Sequence, residues 1–340
     1  MIKTKMILMG LLGAMACGVF GAERTSKLQL KLADSISNSS GKAIQPPPAP
    51  LYQDAHNGVT RDGSLVWNPT KGKWYLYYTQ ANPENIYESR IGIASLTPDG
   101  RTWAYVGHTT GYTGADVYTI NQWAPSAIYN NGVIHLYMSI NGLKIHHLTS
   151  PSTDGVNFTD FGMVNLNGAL AIDPDVDKIG DVWYMYYKNQ SDNQHTWLAS
   201  SPDLNSWTVV RSLITDVGHE APNMFKCKGY YWLTVDAAPG GNKGTRIYRS
   251  STGIDGFTYI NTILDTNNGT RLGDTNGAGH PYVLVQDDEP YIFYHSWYGT
   301  KEQTVEQVAK LVYTNGIWSC DRNMTFHYVL HAPGANDQQY

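Results

Sequence analysis

The chain has 340 residues, of which 12% are aromatic, with 24 tyrosines, and only 16% are charged. That balance suits the pleated, half-buried surfaces of sheets better than exposed helices. The formal net charge is −5, from 24 basic and 29 acidic residues with no basic stripe, which argues against a nucleic-acid partner.

At the start of the chain, Lys3 and Lys5 precede an apolar stretch from Met6 to Phe20, followed by Gly21 and Ala22. This reads as an export signal over residues 1–22, too short in its apolar part for a membrane span. Ala14-Met15-Ala16-Cys17 leaves a second reading open, a lipoprotein leader with a lipid anchor at Cys17. Either form predicts a mature protein that is secreted, periplasmic or held at an outer membrane. Residues 23–50 are polar and end in Gln45-Pro46-Pro47-Pro48-Ala49-Pro50, the composition of an extended linker. One folded domain is expected over 51–332, as a monomer. The two cysteines beyond the leader, Cys227 and Cys320, lack ligand spacing and are expected as free thiols.

Within the domain a short aromatic run recurs five times: GKWYLYYT from Gly72, GVIHLYMS from Gly132, DVWYMYYK from Asp181, KGYYWLTV from Lys228 and EPYIFYHS from Glu289. Each is followed by a strand, a Pro/Asp/Gly or Asn-Gly turn, and a strand opened by Trp or Phe, as in IASLTPDGRTWAYVG. Turns of this kind between alternating apolar residues signal hairpins. Adding an inner strand before each run makes a four-stranded unit at a spacing that suits propeller repeats. The expected fold is therefore all-β, a five-bladed β-propeller in a single domain.

About ten residues before each run stands a chemically distinct group: Asp62, Trp123-Ala124-Pro125, Asp173, Glu220 and His280. Carboxylates from three blades facing one channel mouth suit the two-carboxylate chemistry of glycoside hydrolysis with one tuning group. Taken together, Trp123-Ala124-Pro125, Ile172-Asp173-Pro174, Glu220-Ala221-Pro222 and Gly277-Ala278-Gly279-His280 resemble glycoside hydrolase family 43. The resemblance runs through all five blades, from Leu51 to Gly299.

It implies an enzyme that cleaves arabinose, xylose or galactose units from plant-type polysaccharide with inversion. Asp62 would be the base, Glu220 the acid, and Asp173 the group that tunes and orients the acid. Trp67 and Trp123 would form stacking walls, with His219 and Arg271 beside the sugar. His280 would help hold a calcium ion on the axis, with no organic cofactor. Two departures stand out: Asp62 is followed by Gly63 where the family usually has proline, and Ser126 stands where many members have Asp. Asp54 is the rival for the base. Glu220 paired with Arg271 as a structural ion pair, and Asp175 and Asp177 as turn formers, are the bland alternatives. Two competing functions remain: a related propeller glycosidase acting on anhydrogalactose polymers of algae, and a non-catalytic carbohydrate-binding propeller.

Overall fold

The computed structural model describes residues 44–113, 121–237, 244–267, 269–299, 302–334 and 337. The leader expected over 1–22, with Cys17, and most of the linker expected over 23–50 lie outside the described residues. No helix among the described residues is long and apolar enough to cross a membrane.

Among the described residues, twenty strands form five antiparallel blades. The first holds β1 (Val59–Asn68), β2 (Lys73–Asn82), β3 (Asn85–Leu96) and β4 (Trp103–His108). The second holds β5 (Gln122–Asn130), β6 (Val133–Ile140), β7 (Lys144–Pro151) and β8 (Thr159–Met163). The third holds β9 (Ala171–Ile179), β10 (Val182–Asn189), β11 (His195–Ser201) and β12 (Thr208–Ile214). The fourth holds β13 (His219–Cys227), β14 (Tyr230–Ala237), β15 (Thr245–Ser250) and β16 (Thr258–Ile263). The fifth holds β17 (Ala278–Gln286), β18 (Glu289–Trp297), β19 (Thr304–Thr314) and β20 (Ile317–Cys320).

Every aromatic run is the second strand of its blade. Period-2 alternation along it sends successive side chains to opposite faces, so each run packs against both neighbouring blades. The core accordingly falls into five layers, one per blade interface. Tyr75 and Tyr77 of β2 face the second blade, while Trp74, Leu76 and Tyr78 face the fifth. In the first three blades the turn between third and fourth strands is tied by an aspartate that accepts from backbone N–H groups just beyond it: Asp99, Asp154 and Asp203.

The ring closes where both ends of the domain meet. Val59 pairs in parallel with Thr304, and Leu51 and Tyr52 bind the backbone of Glu306. From the other end, Phe326, Tyr328 and Leu330 enter the layer between the first and fifth blades. The Trp74 indole donates to His331 O there, at 2.7 Å.

A second circuit lies near the axis. Ser64 Oγ accepts from Ala127 N, Ser126 Oγ from Val176 N, Asp175 Oδ2 from Met224 N, and Asn223 Oδ1 from Val283 N, at 2.8–3.2 Å. Tyr282 then donates its hydroxyl to Leu65 O at 3.1 Å, which returns the circuit to the first blade. Asp175 and Asp177 are buried here and line a small void of about 10 Å³. They belong to the axial core rather than to a turn.

Candidate active site

All five innermost strands break their pairing at the same place. The breaks fall between Arg61 and Ser64, Trp123 and Ser126, Ile172 and Asp175, Glu220 and Asn223, and Gly279 and Tyr282. In each, the first extra residue has a left-handed backbone: Asp62 (φ 58°), Ala124 (48°), Asp173 (51°), Ala221 (49°) and His280 (50°). Such a conformation is costly for a non-glycine residue, and a repeated bulge of this kind re-aims the side chain it carries. Proline follows in four blades, where no ladder hydrogen bond is lost.

Gly63 follows in the first blade for a local reason. A Cβ there would lie 2.9 Å from Leu76 Cδ1 and 3.1 Å from Glu306 Oε1. Its N–H also serves the buried Glu306 carboxyl, which proline could not do. Burial, helped by the charge of Asp62, holds Glu306 well above the usual carboxyl range.

The bulge also corrects the alignment of the acids. Asp62, Asp173 and His280 occupy the left-handed position, but Glu220 comes one residue earlier, level with Arg61, Trp123, Ile172 and Gly279.

Across from those preceding residues, the second strands present Thr79, Ser139, Lys188, Asp236 and His295. These five polar groups close the aromatic runs, and most of them receive an N–H from the next bulge. Ala124 N donates to Thr79 Oγ1, Asp173 N to Ser139 Oγ, and His280 N to Asp236 Oδ2, at 2.6–2.9 Å. Lys188, Asp236 and His295 escaped the sequence reading, although each stands in plain view at or just beyond the end of its run.

Together these elements surround a cavity of about 520 Å³ at one end of the axis. Asp62, Asp173 and Glu220 all line it, with Asp236, His280 and His295 between them and Trp123, Trp297 and Tyr87 on the walls. Asp62 Oδ2 accepts from the Thr79 hydroxyl at 2.8 Å, and its Oδ1 lies 3.3 Å from His280 Nδ1 and 3.4 Å from His295 Nδ1. Burial opposes the charge on Asp62. His280, His295 and Arg61 together outweigh burial and hold the carboxyl well below its usual range. Asp173 is raised instead, first by burial and then by the neighbouring Glu220 and Asp62, against the pull of His280 and Lys188. Its Oδ2 accepts from Ala221 N at 3.2 Å. Burial lifts Asp236 to about 7 against the opposing His280. Glu220 reaches into the cavity and meets Lys188 Nζ at 2.5 Å. One cavity therefore holds a carboxylate held in its charged form, Asp62, and two carboxyls that resist ionisation, Asp173 and Asp236.

Three expected sugar contacts lie elsewhere. Trp67 sits at the far end of β1, packed on Trp74 in the layer between the first and fifth blades. His219 precedes Glu220, so the pleat turns it to the opposite face. There it is fully buried against Asp216 and Tyr248. Arg271 binds Asp274 and Tyr294, next to the buried Arg322–Asp274 pair that anchors the chain beyond β20. Trp123 does line the cavity, but the Arg61 guanidinium stacks on its ring at 4.5 Å. Asp54 is buried outside the cavity, with its carboxylate engaged by Tyr78, Gln80 and the backbone of His56.

The donor set does not fit an axial calcium, which takes six to eight oxygens. Burial opposes charging of His280, yet Asp62, Asp173, Asp236 and Glu220 prevail and raise it. The Nδ1 of its ring is turned toward Asp62 Oδ1, at 3.3 Å. Among the described residues no group of three His, Cys, Asp or Glu side chains is placed to hold a metal.

A family model described as "Glycosyl hydrolases family 43" matches residues 97–315. A protein of Aspergillus fumigatus named probable arabinan endo-1,5-alpha-L-arabinosidase A is 23% identical over 274 residues, covering 69% of this chain and 81% of that one. An extracellular endo-alpha-(1->5)-L-arabinanase of Bacillus subtilis is 28% identical over 216 residues, covering 50% and 67%. Among solved structures, a thermostable family-43 glycoside hydrolase superimposes with a TM-score of 0.58 at 17% identity, over 84% of this chain and all of that one. An exo-beta-1,3-galactanase from Clostridium thermocellum gives 0.65 at 15% identity, over 88% and 69%.

Proposed function

The chain belongs to glycosyl hydrolases family 43 and is a glycosidase; on that premise we propose that it cleaves an arabinan- or galactan-type polysaccharide outside the cell, with inversion at the anomeric carbon. The observation that carries this reading is the convergence of Asp62, Asp173 and Glu220, from three separate blades, on one cavity lined by Trp123, Trp297 and Tyr87.

Asp62 is the base. Its charge is secured by His280, His295 and Arg61, so it is ready to take a proton from water. Glu220 is the acid: it lines the same cavity, and its side chain is the most exposed of the three, at 48%. Asp173 stands beside it, its Oδ2 accepting from the N–H of Ala221, the next residue in the chain, at 3.2 Å. Attack by water on one face and protonation of the leaving oxygen on the other give inversion. Relatives named for arabinan and galactan point to those two polymers, and the extracellular Bacillus relative supports secretion.

Purified protein should be incubated with arabinan, galactan and xylan, and with aryl α-L-arabinofuranosides, β-D-galactosides and β-D-xylosides. The reading expects sugar release from arabinan or galactan and an inverted first-formed anomer by proton NMR. Carbohydrate binding without any turnover would make the chain a lectin instead. Release of the retained anomer would remove the assignment of Asp62 as base.

A further inference from the structure

We infer that Lys188 is a positioning residue that holds the arm of Glu220 in place for proton donation to the leaving group, an inference that rests on the acid role proposed above.

The third blade departs from its neighbours at this position. In the first, second and fourth blades the second-strand group is an acceptor: Thr79, Ser139 and Asp236 each take the N–H of the following bulge. The third blade has a lysine there, which has three donors and no acceptor. The N–H of Ala221 is therefore redirected to Asp173 Oδ2, at 3.2 Å. Lys188 donates instead to Glu220 Oε1, the residue just before that N–H, at 2.5 Å.

A lysine at the end of a buried aromatic strand is unusual in itself. The Lys188 side chain is only 4% exposed, whereas that of Glu220 is 48% exposed. One partner is thus fixed by the blade and the other projects from its strand into open space. Without the ammonium, Glu220 would be free to sample several rotamers over the cavity mouth. A misplacement of the order of 1 Å in a reacting group lowers rate by about a hundredfold. Asp173, pinned to Ala221 N and raised by burial, supplies the other side of the acid's surroundings.

The test uses the dependence of rate on the leaving group. Natural oligosaccharides need a proton delivered to the departing oxygen, whereas a dinitrophenyl glycoside leaves without one. Lys188→Met keeps the packing of the stem and removes the donor. Its kcat/KM on the oligosaccharide should fall about 30-fold or more, and on the dinitrophenyl glycoside by less than about threefold. Lys188→Arg, which keeps a charged donor, should recover at least a third of the oligosaccharide loss on a logarithmic scale. A merely structural lysine would lower both substrates alike, so equal losses, or no loss in a folded Lys188→Met, would overturn the inference. If that variant does not fold, Lys188→Leu, which also lacks a donor, is judged by the same criterion. Glu220→Gln separates this failure from failure of the underlying reading. If it lacks leaving-group dependence, the acid assignment itself is lost; if it shows dependence and Lys188→Met does not, only the positioning role is lost.

Discussion

Two polar rings lie two residues apart along the innermost strands and use their side chains in different ways. The ring of Ser64, Ser126, Asp175, Asn223 and Tyr282 joins every blade to the next, and each of its groups is matched by a backbone or side-chain partner. The ring of bulges just above also joins blades, but through its backbone N–H groups. Its side chains Asp62, Asp173 and His280, with Glu220 beside them, are left facing the cavity. The left-handed backbone makes the difference. It turns the N–H toward the neighbouring blade and aims the side chain at the cavity; Asp173 alone of these side chains also takes a bulge N–H, that of Ala221, on its Oδ2.

That division predicts a crossed result. Glu220→Gln and Asp62→Asn should each lower kcat by about 10²–10⁴-fold on polysaccharide. Thermal midpoints of Glu220→Gln should stay within about 2 °C of wild type, because the amide oxygen can still accept from Lys188 Nζ. Asp175→Ala should do the reverse. It strands Met224 N and Asn223 Nδ2 without their acceptor, at a cost of about 2–4 kcal/mol by urea denaturation. If Asp175→Ala abolished turnover with unchanged stability, the two rings would not be separable in this way.

The sequence exposed the repeat because aromatic runs and Asp-Gly turns are local signals, and they recur in register. It also exposed Asp62, Asp173 and Glu220. The bulges were not legible, since a residue before proline normally prefers extended backbone and the left-handed turn is imposed by acceptors on the neighbouring blade. That is why Glu220 appeared level with Asp173 when it stands one residue earlier. His219 was misplaced because proximity in sequence to an acid says nothing about which face of the pleat a side chain takes, and Trp67 because it stands at the other end of β1 from the bulge. Lys188 and Asp236 had a signal that went unread, a lone charge closing an otherwise aromatic strand.

A smaller effect, of opposite sign, is expected at Asp236. Its folded carboxyl is raised to about 7, above all by burial, whereas the unfolded one titrates near 3.9. The folded state therefore holds a proton that the unfolded state has already lost between about pH 4 and pH 7, and this group's contribution to stability falls as pH rises through that window and is flat above it. Asp236→Asn keeps an oxygen for His280 N and cannot ionise. It should be more stable than wild type by about 1–2 kcal/mol at pH 8, with no advantage at pH 4. An equal advantage at both pH values would show that ionisation is not the cause.

The smallest effect tests the left-handed backbone directly, through two buried alanines of β5. Ala124 has φ 48° and Ala127 has no such conformation. Glycine at 124 relieves the Cβ penalty of that backbone, about 1 kcal/mol, and adds unfolded-chain entropy of somewhat smaller size. Ala124→Gly should thus be neutral to stabilising by about 0.5 kcal/mol, whereas Ala127→Gly meets only the entropic term and should lose about 1 kcal/mol. Ala124→Val, with a β-branched side chain in the same conformation, should lose more than either. Urea midpoints ranked in any other order would mean that the bulge is not strained at Ala124, and that the cavity-facing aim of Asp62 and Asp173 comes without a conformational penalty.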